Sequence, residues 1–173
     1  DKVLYRIRQD QTDKKILVAK RFSSHASVST LSKLAARGAA VLLPGSAPLD
    51  KADAADKSLT IDFAVKSVPG SYVDTNGSFA YDGGSEKKTT YNLAAAVTRP
   101  LDPSASKPKG VAVPEMRVFV IGDADCFTDP VIEFAKTNQL LFAEALRWLG
   151  GEESFSGAST SEVQEASFTR QEV

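Results

Sequence analysis

Three carboxylates and a cysteine stand close together in the C-terminal third of the chain. Asp123, Asp125 and Asp129 follow an apolar run, and Cys126 lies among them. Spaced carboxylates at such a position can hold Mg²⁺ for phosphoryl chemistry. The same residue types also accept backbone N–H groups in tight turns and cap helices. Because no phosphate-binding lysine or Ser/Thr pattern accompanies them, we favour the structural interpretation and predict no metal site.

Cys126 is the only cysteine, which excludes an internal disulfide and a cysteine-based metal centre. A nucleophile at a strand-to-helix elbow normally has small neighbours, whereas Cys126 lies between Asp125 and Phe127. Its one candidate base is His25, the single histidine, which lies far upstream. The sequence therefore predicts a structural, partly buried thiol, and it predicts that His25 caps or hydrogen-bonds locally in its Ser-rich segment. We predict no catalytic residue.

Tyr72 and Tyr81 lie in a segment rich in glycine, serine and aspartate that runs from Pro69 to Thr90. Such aromatic residues can form a stacking surface for a sugar or a peptide, or they can pin the loop onto the domain. The sequence leaves both alternatives open. The candidate ligand or partner surface at this stage consists of six residues: His25, Tyr72, Tyr81, Asp123, Asp125 and Cys126.

Length, composition and charge limit the class of protein and the kinds of partner that the sequence allows. The chain has 173 residues, which suits one domain with a real core. Its 21 basic and 22 acidic residues give a net charge of −1, so charge provides no argument for a nucleic-acid partner. No apolar run approaches the ~20 residues that cross a bilayer. No cofactor is expected from any motif.

Hydrophobic periodicity predicts the elements that must position these residues. Alternating or apolar runs predict strands at 3–8, 16–19, 39–43, 59–65, 91–97 and 115–121. The run at 39–43 is typical of a central strand and the run at 115–121 of a buried one. We predict a single α/β domain over residues 1–150 with a mixed, mostly parallel sheet flanked by helices. A polar tail follows at 151–173, with a possible edge strand at 163–168.

A helical segment follows the carboxylates. Asp129 and Pro130 are a plausible start, and Asn138 offers a second one, so a short turn followed by a main helix is expected. Phe142, Ala145, Leu146 and Leu149 recur at helical spacing and predict the buried face, with Glu144 placed elsewhere. Trp148 is expected in the core, and two glycines at 150 and 151 stop the helix.

Three segments carry a resemblance to a known family: Arg37–Ser46, Val118–Asp125 and Asn138–Gly151. Together they resemble the extracytoplasmic domain of ABC-transporter auxiliary proteins, which include gliding-motility transport components. In that family a strand ending in Gly-Asp-(Ser/Ala)-Asp precedes an Asn-initiated helix that ends in Trp-Leu. His25 and Leu31 also fall where such proteins carry a His-…-Leu segment, although Ala26 stands where proline is common.

The resemblance implies a flavodoxin-like fold similar to class I glutamine amidotransferases, without their catalytic set. It also implies a non-catalytic binding or scaffolding domain of a membrane ABC-type transport system. Its partners would be permease and ATPase subunits, with no nucleic acid. The domain would lie in the periplasm of a bacterium, held at the inner membrane by an anchor after residue 173. The alternative is an α/β hydrolase that uses Asp123 and Asp125 with a divalent metal, or Cys126 as its nucleophile.

Overall fold

The computed structural model describes residues 3–5, 16–53, 56–102 and 114–152. The strands are β1 Val3–Tyr5, β2 Ile16–Ala19, β3 Arg21–Phe22, β4 Val41–Pro44, β5 Thr60–Lys66, β6 Tyr72–Asp74, β7 Asn92–Pro100 and β8 Glu115–Ile121. The α-helices are α1 Ser29–Ala35, α2 Asp129–Phe134 and α3 Lys136–Leu149. Short 3-10 turns at Ala26–Val28 and Asp125–Phe127 precede α1 and α2. The predicted edge strand at 163–168 lies outside the described residues.

Every strand pair among the described residues is antiparallel. The order β3-β5-β7-β8 forms one four-stranded sheet, and β2-β4 and β1-β6 form two separate pairs. The predicted fold class, a mixed and mostly parallel sheet of the flavodoxin or amidotransferase kind, is therefore wrong.

The connections explain this difference, since parallel neighbours need a crossover that is usually a helix. A loop with β6, rather than a helix, connects β5 to β7. Leu101 N donates to Pro114 O at 3.0 Å, which brings the end of β7 beside the start of β8 as an antiparallel pair requires.

The register of the four-stranded sheet separates two faces. Phe119 and Ile121 of β8 pack on the core, on the side where Arg117 Nη1 donates to Trp148 O of α3 at 2.6 Å. Val118 and Val120 point to the opposite side and are 40% and 39% exposed. The prediction that 115–121 is a buried strand is wrong, because β8 is the last strand of the described sheet and only one of its faces is covered.

Helix α3 buries a different face from the predicted one. Leu141, Ala145 and Trp148 enter the core, which confirms the placement of Trp148. Three of the four residues predicted to form the buried face are exposed instead, namely Phe142, Leu146 and Leu149. The helix is rotated so that two polar side chains, Asn138 and Glu144, lie inside.

Glu144 explains part of this rotation. Its carboxylate accepts hydrogen bonds from Thr30 N at 2.7 Å, Leu31 N at 3.1 Å and Ser29 Oγ at 3.3 Å. The first N–H groups of a helix have no partner within the helix, and a negative charge there is favoured by the helix dipole. Glu144 therefore caps α1 from α3 and fixes the two helices against each other.

Asn138 fixes the other side of α3. Its Oδ1 accepts from Leu42 N at 2.9 Å, and its Nδ2 donates to Leu42 O at 2.8 Å and to Cys126 O at 2.9 Å. The amide thus pairs with β4 as a neighbouring strand would.

Among the described residues β4 has only β2 as a strand partner, so its predicted central position is wrong. The expected short turn before the main helix is confirmed as α2 followed by α3.

The backbone of Gly122, directly after β8, lies in close contact with two other segments. Its N–H donates to Leu93 O at 2.9 Å and its carbonyl accepts from Ala47 N at 2.7 Å. A Cβ atom at this position would lie 2.1 Å from Ala47 O. Real Cβ atoms do not approach a backbone oxygen this closely, so only glycine allows the segment after β4 to meet the ends of β7 and β8.

We expect Gly122→Ala to lower the free energy of unfolding by about 2–4 kcal/mol, because the new methyl group must push backbone apart. Urea denaturation of the purified protein measures the change. Gly84→Ala is the matched control, since a Cβ atom there meets nothing within 4 Å. Equal stability of the two variants would contradict the close contact at Gly122.

Candidate functional site

The turn after β8 is organised by the side chain of Asp123. Its Oδ1 accepts from Asp125 N at 2.8 Å and from Cys126 N at 3.0 Å. These bonds start the 3-10 turn at Asp125–Phe127, which leads into α2. A short carboxylate that accepts from the backbone two and three residues ahead is a common way to close a turn. This geometry agrees with the structural role predicted for Asp123, in which its carboxylate accepts backbone N–H groups in a tight turn.

The second carboxylate oxygen of Asp123 lies in an unusual environment. Asp123 is buried, and its Oδ2 has no hydrogen-bond partner among the described residues. The Ser46 hydroxyl, next to Ala47, is likewise buried and without a partner there. Burial raises the pKa of Asp123 to about 6, although the N–H groups of Asp125 and Cys126 oppose the shift. Ionised Asp123 therefore makes the folded state less stable than protonated Asp123 does.

Cys126 is fully buried behind this turn. Its thiol donates to Asp123 O at 3.3 Å, and its own carbonyl accepts from Asn138. Burial, together with the Asp123 carboxylate, raises the pKa of the thiol to about 12. A nucleophilic cysteine works as the thiolate and is accessible to its substrate. This environment has the opposite properties and weighs against the nucleophile hypothesis.

The three carboxylates do not converge on one point. Asp125 and Asp129 are exposed, whereas Asp123 is buried. Asp129 is the first residue of α2, one position after its N-cap Thr128, so it lies in the helix rather than before it. Within residues 16–53, 56–102 and 114–152, no group of three or more His, Cys, Asp or Glu side chains could hold a metal ion.

His25 lies at the start of the turn before α1. It is the N-cap of Ala26–Val28, where its Nδ1 accepts from Ser27 N at 3.2 Å and contacts Ser27 Oγ at 2.9 Å. Its ring meets the Trp148 ring edge to face at 5.0 Å. This is the capping role predicted for His25, combined with a packing contact against α3.

The two tyrosines pin their loop to the domain. Tyr72 is 2% exposed in β6, and its ring meets the Tyr81 ring edge to face at 5.5 Å. Tyr81 donates from its hydroxyl to Glu86 O at 3.2 Å, and Lys88 Nζ lies 4.0 Å from the centre of its ring. A ring as buried as Tyr72 cannot stack on a ligand. Of the two alternatives, the contacts favour the pinned loop.

Two acidic residues that the sequence reasoning missed organise this loop. Asp74 accepts from Asn76 N, Gly77 N and Phe79 N at 2.7–3.0 Å. Burial alone would raise the pKa of Asp74, but the N–H groups of residues 76–79 outweigh it and hold the pKa below its usual range. Glu86 accepts from Thr75 N and Asp82 N. The succession of Asp74, Asn76 and Gly77 is a turn signal that could have indicated this role.

Asp123→Asn tests the cost of the buried carboxylate. With a pKa near 6 in the folded state and 3.8 unfolded, the folded protein binds more protons between these values. Stability due to Asp123 is thus fully present below pH 3.8 and is lost as the pH rises to about 6. We expect the wild type to lose about 2–3 kcal/mol relative to Asp123→Asn between pH 4 and 7.

Chemical denaturation of both proteins across this pH range measures the difference. Asp129→Asn is the control, because it removes an equal charge from an exposed position nearby. A constant difference between wild type and Asp123→Asn, or a wild type that gains relative stability as pH rises, would contradict the buried environment of Asp123.

Comparison with known proteins gives no family assignment. No protein-family model matches the sequence. There is likewise no significant match among curated proteins or among solved structures. The function must therefore be inferred from the residues, contacts and surfaces of this chain itself.

Proposed function

We propose that this chain is a non-catalytic binding or scaffolding domain of a membrane ABC-type transport system auxiliary protein. It would act outside the cytoplasm at a bacterial inner membrane, with permease and ATPase subunits as partners. The assignment to transport rests on the resemblance of the segments 37–46, 118–125 and 138–151. None of the helices in the described ranges is long and apolar enough to cross a membrane.

The observation that carries the binding role is an apolar surface on the four-stranded sheet. Cross-strand register aligns two rows of side chains on the side away from α3. The first row is Ile61, Val97 and Val118, and the second is Phe63, Ala95 and Val120. We call these six residues the outer sheet face. An open sheet surface normally carries polar residues, so an apolar one indicates a protein contact.

The polar residues near Gly122, by contrast with this open surface, are buried or make hydrogen bonds within the fold. Asp123 closes its turn and Cys126 is sealed beneath it, with Asn138 bonded to both β4 and the turn. A domain built in this way offers surfaces rather than a reactive centre. Polar side chains that are bonded inside the fold, together with an apolar outer sheet face, support a scaffolding role.

A photo-crosslinking residue placed at Val118 of the full-length protein, in its native membrane, tests this proposal. We expect covalent products with permease subunits, because the side chain is 40% exposed on the outer sheet face. The same residue placed at Lys33, exposed on α1, is the control and should not give these products. Loss of the protein from the membrane fraction, or identical products from both positions, would contradict the proposal.

The competing function is a hydrolase that uses Asp123 and Asp125 with a divalent metal, or Cys126 as nucleophile. One observation favours a metal, namely the buried Asp123 Oδ2 that has no partner among the described residues.

The binding proposal predicts that Mg²⁺ or Mn²⁺ leaves the melting temperature unchanged. It also predicts that native Cys126 reacts with an alkylating reagent far more slowly than the unfolded chain, since the thiol is buried. Metal stabilisation that Asp123→Asn abolishes, or rapid alkylation of the native thiol at neutral pH, would support the hydrolase instead.

A further inference from the structure

The loop between β6 and β7 carries the one asparagine of this chain that a glycine follows. Asn76 precedes Gly77, whereas the other two asparagines, Asn92 and Asn138, precede leucine and glutamine. A backbone N–H can attack the side-chain amide of the preceding asparagine, and glycine hinders this attack least because it has no side chain. Asn76 and Gly77 are exposed, and a Cβ atom at Gly77 would meet nothing within 4 Å. The reacting atoms are therefore open to water.

Such an attack depends on the groups around the amide. A base must take the proton of the attacking N–H, and a donor must stabilise the amide oxygen while negative charge develops on it. The amide must also be held in one orientation, although no binding step is needed because the reacting atoms belong to neighbouring residues. The contacts of Asn76 can be compared with these three requirements.

Hydrogen bonds of the loop supply one group for each requirement. Asp74 Oδ1 accepts from Gly77 N at 2.7 Å, so a carboxylate lies at the attacking N–H. Ser78 N donates to Asn76 Oδ1 at 2.9 Å, on the oxygen that becomes negative. Asn76 Nδ2 donates to Asp82 Oδ2 at 2.6 Å, which orients the amide. The loop thus surrounds this amide with a base, an oxyanion donor and an anchor.

We propose that Asn76 is a self-modifying site in the folded protein. Gly77 N forms a bond to Asn76 Cγ while Asp74 accepts the N–H proton. The bond from Cγ to Nδ2 then breaks, and Nδ2 leaves as ammonia with a proton that replaces the one taken from Gly77 N. Water opens the resulting cyclic imide at either carbonyl and leaves aspartate or isoaspartate at position 76. Water is the only co-reactant.

The product changes the charges within the loop. An aspartate at position 76 places a carboxylate opposite Asp82, where Asn76 Nδ2 donates before the reaction. Two like charges thus replace a hydrogen bond, and repulsion between them is unfavourable. Isoaspartate also inserts a methylene group into the main chain, which displaces the N–H groups of Gly77 and Phe79 from Asp74. We therefore expect the modification to loosen the loop. The proposal is independent of the transport function, because it involves none of the segments on which that function rests.

Peptide mapping by mass spectrometry, with the full chain kept folded at neutral pH and sampled over days, tests the site. We expect conversion at Asn76 and none at Asn92 or Asn138, with isoaspartate detected by enzymatic methylation. The chain unfolded in guanidinium chloride is the comparison, since it lacks the bonds from Asp74 and Ser78. The folded chain should convert at least ~10-fold faster, because an oriented base contributes this much or more. A folded rate equal to or below the unfolded rate would overturn the proposal.

Two loop variants separate the base from the order of the loop. Asp74→Asn keeps an acceptor for Gly77 N but removes the base, so it should slow the folded reaction at least ~10-fold. Glu86→Gln is the matched control, because Glu86 accepts from Thr75 N and Asp82 N and contacts neither reacting residue. It should leave the rate within about twofold of the wild type. Equal slowing by both variants would contradict the role of Asp74.

Hydrogen exchange of the amides of Gly77 and Phe79 tests the consequence. Asn76→Asp reproduces the aspartate product, and Asn76→Ser removes Nδ2 without adding a charge. Both amides should exchange at least ~3-fold faster in Asn76→Asp than in Asn76→Ser, because only the first variant sets a carboxylate against Asp82. Equal exchange rates in the two variants would refute the expected loosening of the loop.

Discussion

The backbone of Gly122 packs between two other segments, and the positions of β4, β7, β8 and the turn after β8 depend on that contact. Its N–H bonds to Leu93 O and its carbonyl to Ala47 N, with no space for a side chain. This contact holds the segment after β4 against the ends of β7 and β8. It also sets where the turn begins, so Asp123 enters the interior and Cys126 is sealed beneath it.

Buried polar side chains then fix the helices around this contact. Glu144 caps α1, Asn138 pairs with β4, and Asp123 closes the turn before α2. Each group satisfies backbone that would otherwise be buried without a partner, which costs about 1–3 kcal/mol per group. Because Asn138 and Glu144 occupy the buried side of α3, apolar residues of the same helix such as Leu146 lie at the surface.

The elements could be predicted from the sequence, but their arrangement could not. Local period and turn residues found β2, β5 and β7 to within a few residues, since those signals lie inside each segment. The face that α3 buries is decided by Glu144, whose partners Thr30 and Leu31 lie more than a hundred residues earlier. Strand direction depends equally on connections between segments. The structural role of Asp123 was foreseeable because its partners lie two and three residues ahead.

The turn after β8 belongs to the rigid core of the described fold. Native-state hydrogen exchange of three amides, those of Ala47, Gly122 and Cys126, measures this most directly. Because their N–H groups bond to Gly122 O, Leu93 O and Asp123 Oδ1, these amides should exchange only when the whole domain unfolds. Their opening free energies would then match the global value from denaturation. Exchange through a local opening several kcal/mol easier than global unfolding would contradict the claim.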